Sequence, residues 1–172
     1  WDALRALAEL LEAPVATSLN GKSAFPENHP FSLGAASKSE PGQLAHFMTE
    51  TDCLFGIGCS FTQTAYGLTP PTDNLVIHST LDPGDVGKDI IADHAVIGDA
   101  KLVLEALHEE VGERLDWGPR GRQEEVVVKI ESVRREWLEE WWPKLESDET
   151  PINPYRVVHE LNRIVDKEET II

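Results

Sequence analysis

The sequence is short of cations and of cysteine, and it lacks the common catalytic signatures. Each shortage excludes something. Fifteen Lys and Arg residues face thirty-one Asp and Glu, for a formal net charge of −16 over 172 residues. Non-specific nucleic-acid binding needs a basic footprint, and anionic membrane surfaces attract basic segments. The balance argues against both partners and for a solvated, acidic surface. No apolar run reaches the roughly eighteen residues of a membrane span. The two cysteines, Cys53 and Cys59, belong to one extended stretch and lie too far apart along it for a direct disulfide. They read as buried thiols in a reducing, cytoplasmic compartment.

Catalytic motifs are missing as well. The chain has no G-x-S-x-G, H-E-x-x-H, G-x-x-x-x-G-K-[ST] or C-x-x-C pattern. Gly56-Ile57-Gly58 lacks the third glycine of a dinucleotide fingerprint. The six histidines, at 29, 46, 78, 94, 108 and 159, show no metal-ligand spacing. The chain opens on Trp1 with neither an initiator Met nor a secretory signal segment. Trp1 already sits in a helical pattern, and Thr170-Ile171-Ile172 reads as the start of a strand. Both ends are expected to belong to a longer protein.

What is present is an alternation of strand and helix. Leu4, Leu7, Ala8 and Leu11 recur at helical spacing up to Pro14. A short strand at 15–17 follows. Asn20 to Pro41, rich in Gly, Pro, Ser and Asn, reads as a long, lid-like connection. A helix is expected over 43–50, strands at 53–58, 75–78 and 95–97, and a helix from Asp99 to about Val111. Apolar runs without polar alternation fit strands buried on both faces of a parallel sheet. The fold class expected is α/β: a Rossmann-like parallel sheet flanked by helices, followed by a helical linker segment. After Trp117-Gly118-Pro119 comes a long amphipathic helix, 123–145, that carries Trp137, Trp141 and Trp142. Those tryptophans are expected to dock on the sheet domain, on another domain or on a second subunit. A last helix spans 155–165. The domains expected are 1–112, a linker over 113–153, and the start of a further domain at 154–172.

The strand 53–58 ends in Gly58-Cys59-Ser60-Phe61. In open α/β sheets ligands bind outside the carboxyl ends of strands. The Gly58, Cys59 and Ser60 turn could offer backbone N–H groups and a hydroxyl to a phosphate. Asp82, after the next strand, could accept from a ribose hydroxyl. Its Asp-Pro-Gly context favours a plain turn.

In order along the chain, several segments resemble the central domain of thiamine-diphosphate-dependent enzymes of the acetolactate synthase type. They are Pro14-Val15-Ala16-Thr17-Ser18, Gly21-Lys22-Ser23-Ala24-Phe25-Pro26-Glu27 with His29-Pro30 and Gly34, Asp52 to Phe61, Val76-Ile77-His78 with Asp82-Pro83, Val96-Ile97-Gly98-Asp99-Ala100, and Trp137, Trp141, Pro151 to Pro154 and Arg156-Val157. The resemblance implies a parent of three α/β domains that cleaves or joins bonds next to a 2-oxo acid carbonyl, with the thiamine ring as electron sink. Thiamine diphosphate and Mg2+ would be held by the other two domains, and the parent would be a homodimer or homotetramer. The middle domain binds FAD or ADP in some members and nothing in others. The nucleotide pocket carried over would be Gly58, Cys59, Ser60, Thr80, Asp82 and Asp99. No catalytic residue and no metal ligand falls in this chain. The sequence departs from the family at three places, one of them Lys38-Ser39-Glu40, which replaces the glycine-rich run after Gly34. Its first strand is missing before Trp1, and Thr80 stands where the family has an acid. The alternatives are a stand-alone FAD-, ADP- or NAD-type nucleotide module and a purely structural scaffold.

Overall fold

The computed structural model describes residues 2–71, 73–166 and 169–170. The expectations placed on Trp1 and on Ile171-Ile172 lie outside these residues. The described chain divides into two compact units, residues 1–133 and 134–172.

In the first unit, helix α1 (Asp2–Leu11) leads into strand β1 (Val15–Ser18). Pro14 stops the helix because it has no N–H and crowds the preceding turn. Then come β2 (Ser32–Ala36), α2 (Gly42–Glu50), β3 (Cys53–Ile57), β4 (Leu75–Thr80), β5 (His94–Ile97) and α3 (Ala100–Arg114). Helix α4 (Gln123–Leu145) begins in the first unit and carries on into the second, where α5 (Pro154–Ile164) follows. Every strand pair is parallel, as the unbroken apolar runs suggested.

Two features differ from the sequence reading. The long connection after β1 contains β2, which pairs Ser18 with Ala36 and Ala16 with Gly34. Ser-Leu-Gly-Ala-Ala has almost none of the β-branched and aromatic residues that mark a strand, so its strand character comes from pairing with β1. The strands also form two sheets. One is β1-β2 and the other is β3-β4-β5. Among the described residues β3 is therefore an edge of its sheet, and β4 is the centre.

The main core sits on the first sheet. Ala8, Phe25, Phe31, Leu33, Leu44, Val126 and Ile130 form one buried cluster. The chain between β1 and β2 folds onto α1 through His29. Its Nε2 lies 3.1 Å from Glu9 Oε1, and its Nδ1 accepts from the Phe31 N–H. The imidazole also meets Phe25 edge-on. Helix α1 packs along α3, and α3 packs on β4. One helical layer thus runs across both sheets.

In the second unit the tryptophans pack on each other and on α5. Trp141 lies 5.8 Å from Trp137 and 5.0 Å from Tyr155, centroid to centroid, and Lys144 Nζ sits 4.0 Å over the Trp141 ring. Trp142 meets His159 edge-on. Arg156 holds the preceding turn by donating to Ser147 O at 2.8 Å and to the Asp148 carboxylate. The other face of α5 is open: Val158 and Ile164 are strongly exposed.

Candidate functional site

Parallel registry brings the six expected pocket residues to one edge of the second sheet. Gly56 pairs with His78, Ile57 with Ser79, and Thr80 with Ile97. Gly58-Cys59-Ser60, Thr80 to Asp82, and Asp99 therefore follow the carboxyl ends of β3, β4 and β5 side by side.

Several of their polar atoms are engaged in local turns. Gly58 adopts φ of 63° and donates its N–H to Ser79 O at 2.9 Å. Glycine suits this position because φ above zero strains residues with a Cβ. The Cys59 carbonyl accepts from His78 Nε2 at 2.8 Å. Ser60 Oγ donates to Thr62 Oγ1 and accepts from the Thr62 N–H. Thr80 Oγ1 accepts from the Asp82 N–H and reaches Asp85 Oδ2. Asp82 Oδ1 accepts from the Gly84 N–H at 2.8 Å and caps a short 3-10 turn, Pro83–Asp85. Asp99 Oδ1 accepts from the N–H groups of Lys101 and Leu102 and caps α3. Asp82 and Asp99 are thus turn and cap residues first.

Phe61 closes the edge, a role not visible in the sequence. At φ of 50° it turns back so that its ring lies on Gly56 and 4.7 Å from the His78 ring. A Cβ on Gly56 would stand 2.1 Å from Phe61 Cζ, so glycine is required at this approach. His78 is fully buried beneath the ring. Its Nε2 must carry the hydrogen, because the Cys59 carbonyl can only accept. Its Nδ1 has no hydrogen-bond partner among the described residues. The only sequence signal for this trio was the odd glycine inside an apolar strand.

The segment after β3 is tied at two points. The Gln63 N–H donates to Asp89 Oδ2 at 2.8 Å, and the Lys38 N–H donates to Tyr66 O at 3.1 Å. Between these ties it runs from the loop beyond β4 to the loop beyond β2, along the strand ends. Burial raises the thiol pKa of both cysteines. At Cys59 the thiol's own desolvation dominates. Cys53 is exposed, against the expectation of a buried thiol; its partial desolvation comes first and the neighbouring Asp52 charge adds to it. Both stay thiols at neutral pH, which makes them poor nucleophiles.

Much of the polar surface at this edge is taken up within the chain itself. Its side-chain acceptors and hydroxyls serve local turns, and an aromatic ring fills the space over Gly56. Among the described residues, no group of three or more His, Cys, Asp or Glu is placed to hold a metal ion. A groove of about 330 Å³ along α1 and α3 is lined by Asp2, Ala3, Ala6, Glu105 and His108, and none of the six candidates lines it. No helix among the described residues is long and apolar enough to cross a membrane.

Comparison with known proteins gives one direction. Residues 1–107 match the family model described as thiamine pyrophosphate enzyme, central domain. The chain is 32% identical to a probable acetolactate synthase large subunit of Methanococcus aeolicus, over 96% of this chain and 28% of the relative. It is 30% identical to the corresponding probable subunit of Methanocaldococcus jannaschii, over 96% of this chain and 27% of that protein. It is 29% identical to the acetolactate synthase of Mycobacterium leprae, over 99% of this chain and 27% of that protein. The chain thus spans somewhat over a quarter of the length of these relatives.

Proposed function

The chain belongs to the thiamine pyrophosphate enzyme family, as a central domain, and on that premise we propose that it is the scaffold of a thiamine-diphosphate-dependent enzyme acting on 2-oxo acids. The parent polypeptide is a decarboxylase or carboligase of the acetolactate synthase kind, a lyase or transferase that works in the cytoplasm as a homodimer or homotetramer. The other domains of the same polypeptide hold thiamine diphosphate and Mg2+, and the thiamine ring supplies the electron sink. Residues 113–153 serve as the linker, and residues 154–172 open the next domain.

The observation that carries this reading is collinear similarity to acetolactate synthase large subunits along 96% of the chain. The local geometry supports a scaffold over a nucleotide module. Ser60, Thr80, Asp82 and Asp99 are engaged in their own turns, and the Phe61 ring lies against Gly56.

The test is a pair of measurements. The full-length polypeptide should release carbon dioxide from pyruvate only when thiamine diphosphate and Mg2+ are both present. Residues 1–172 alone should show neither this activity nor a thermal shift with the cofactor. A saturable shift of residues 1–172 with thiamine diphosphate would overturn the assignment. FAD or ADP binding lost on Asp82→Ala would restore the nucleotide-module reading.

A further inference from the structure

We propose that residues 59–68 form a strap over the carboxyl ends of β3 and β4, that the strap opens at one end, and that Phe61 is its latch. The segment belongs to no helix or strand. Residues 62–66 are all exposed, whereas Phe61 before them and Leu68 after them are packed. Leu68 lies against the main core, and beside it the Lys38 N–H holds Tyr66 O at 3.1 Å. That end is firm. At the other end the Gln63 N–H reaches the Asp89 carboxylate, and both residues are exposed, so water competes for the bond. The remaining hold on this end is the Phe61 ring, seated on Gly56 and His78.

The closed latch carries two costs. Phe61 sits at φ of 50°, a conformation uncommon for a bulky side chain. Its ring also covers His78, which is fully buried and whose Nδ1 has no hydrogen-bond partner among the described residues. A polar atom buried without a partner has given up its bonds to water. Lifting the ring ends both costs together. The apolar contact of one ring is thus set against two opposing terms, which is the balance that leaves an open form populated as a minor state.

The hydrogen bonds also locate the pivot. The Gly58 N–H is bonded to Ser79 O and the Cys59 carbonyl to His78 Nε2, so the chain is fixed to β4 as far as Cys59. The Ser60 hydroxyl both donates to and accepts from Thr62, so the turn 60–62 moves as one piece. The pivot therefore falls between Cys59 and Ser60. Opening carries Phe61 away from Gly56 and Gln63 away from Asp89, while Leu68 stays in place. The Cys59 thiol, half-buried and in contact with the Phe61 N–H, is bared by that movement. The strap thereby controls when solution reaches the ends of β3 and β4, the edge at which open α/β sheets take ligands.

Alkylation of Cys59 by iodoacetamide, read by peptide mapping of the full-length polypeptide, tests this, with Cys53 as the internal reference. Asp89→Ala releases the Gln63 tie, and Gly56→Ala drives a methyl group against the ring. Each should speed the reaction of Cys59 at least about fivefold and leave that of Cys53 unchanged, under conditions where circular dichroism shows the variant folded. Should Gly56→Ala fail to fold, Asp89→Ala decides alone. An unchanged Cys59 rate in a folded variant overturns the proposal. So does an equal rise at both cysteines, which would mean a general loosening of β3 instead of a strap that opens.

Discussion

The Glu12 carboxylate closes onto the backbone at Arg122: its two oxygens accept the N–H groups of Gly121 and Arg122, across more than a hundred residues of sequence. In return Arg120 Nη1 donates to Leu11 O, one of the open carbonyls at the end of α1. A carboxylate thus meets the N-terminal end of α4, and a guanidinium meets the C-terminal end of α1. Both match the sign of the helix dipole. Glu12 is buried and holds φ of 51°, a left-handed conformation common just past a helix end.

Glu12→Ala should therefore destabilise the first unit by about 1–2 kcal/mol, since two backbone donors lose a charged acceptor. Glu12→Gln, which keeps an acceptor of the same shape, should lose less. Chemical denaturation followed by far-UV circular dichroism measures both. An unchanged midpoint for Glu12→Ala would show that water replaces the carboxylate without loss.

Gly56→Ala should cost about 1–3 kcal/mol, because its methyl group and the Phe61 ring compete for one space. Phe61→Ala should remove most of that penalty when the two changes are combined. A double-mutant cycle with no coupling would mean that the ring does not rest on Gly56 in solution.

Asp99 caps a helix of fifteen residues, whereas Asp82 caps a turn of three. Asp99→Ala should lower stability by about 1 kcal/mol, and Asp82→Ala by only a few tenths. Thermal unfolding of the two variants side by side gives the comparison. Equal losses would show that the two carboxylates do not differ as caps.

Burial raises the Cys59 thiol above its ordinary range, so in the folded chain it keeps its proton to higher pH than in the unfolded chain. The stability linked to that shift is present below the unfolded pKa and fades as pH rises through the folded one. Alkylation by iodoacetamide near pH 8 should be at least about tenfold slower at Cys59 in the native protein than in urea. Cys53, which is exposed, should react faster than Cys59 in the native state. Peptide mapping resolves the two sites, and a native Cys59 as reactive as the unfolded one would contradict the burial seen here.

Much of the fold was legible in the residues because the signals were local. Leu4, Leu7, Ala8 and Leu11 set α1 by spacing, and Pro14 ended it. The apolar runs of β3, β4 and β5 announced parallel strands, and each formed. Strand β2 escaped because Ser-Leu-Gly-Ala-Ala has no intrinsic preference that marks it; β1 makes it a strand by pairing. The candidate site was half legible. Strand order placed Gly58, Ser60, Thr80, Asp82 and Asp99 on one edge, as their positions after successive strands require. Their engagement in turns depends on backbone angles that no motif encodes.

By itself the sequence determined the α/β class, the parallel direction of the strands, the acidic surface and the family resemblance. The first three follow from composition, period and spacing, which act over a few residues, and the resemblance from motifs met in order along the chain. Only the tertiary structure decided that β3 is an edge, that Phe61 lies on Gly56 above a buried His78, and that Glu12 caps the entry to α4. These relationships join residues whose separation in sequence carries no information about their approach. They are set by which surfaces are left to cover once the local elements have formed.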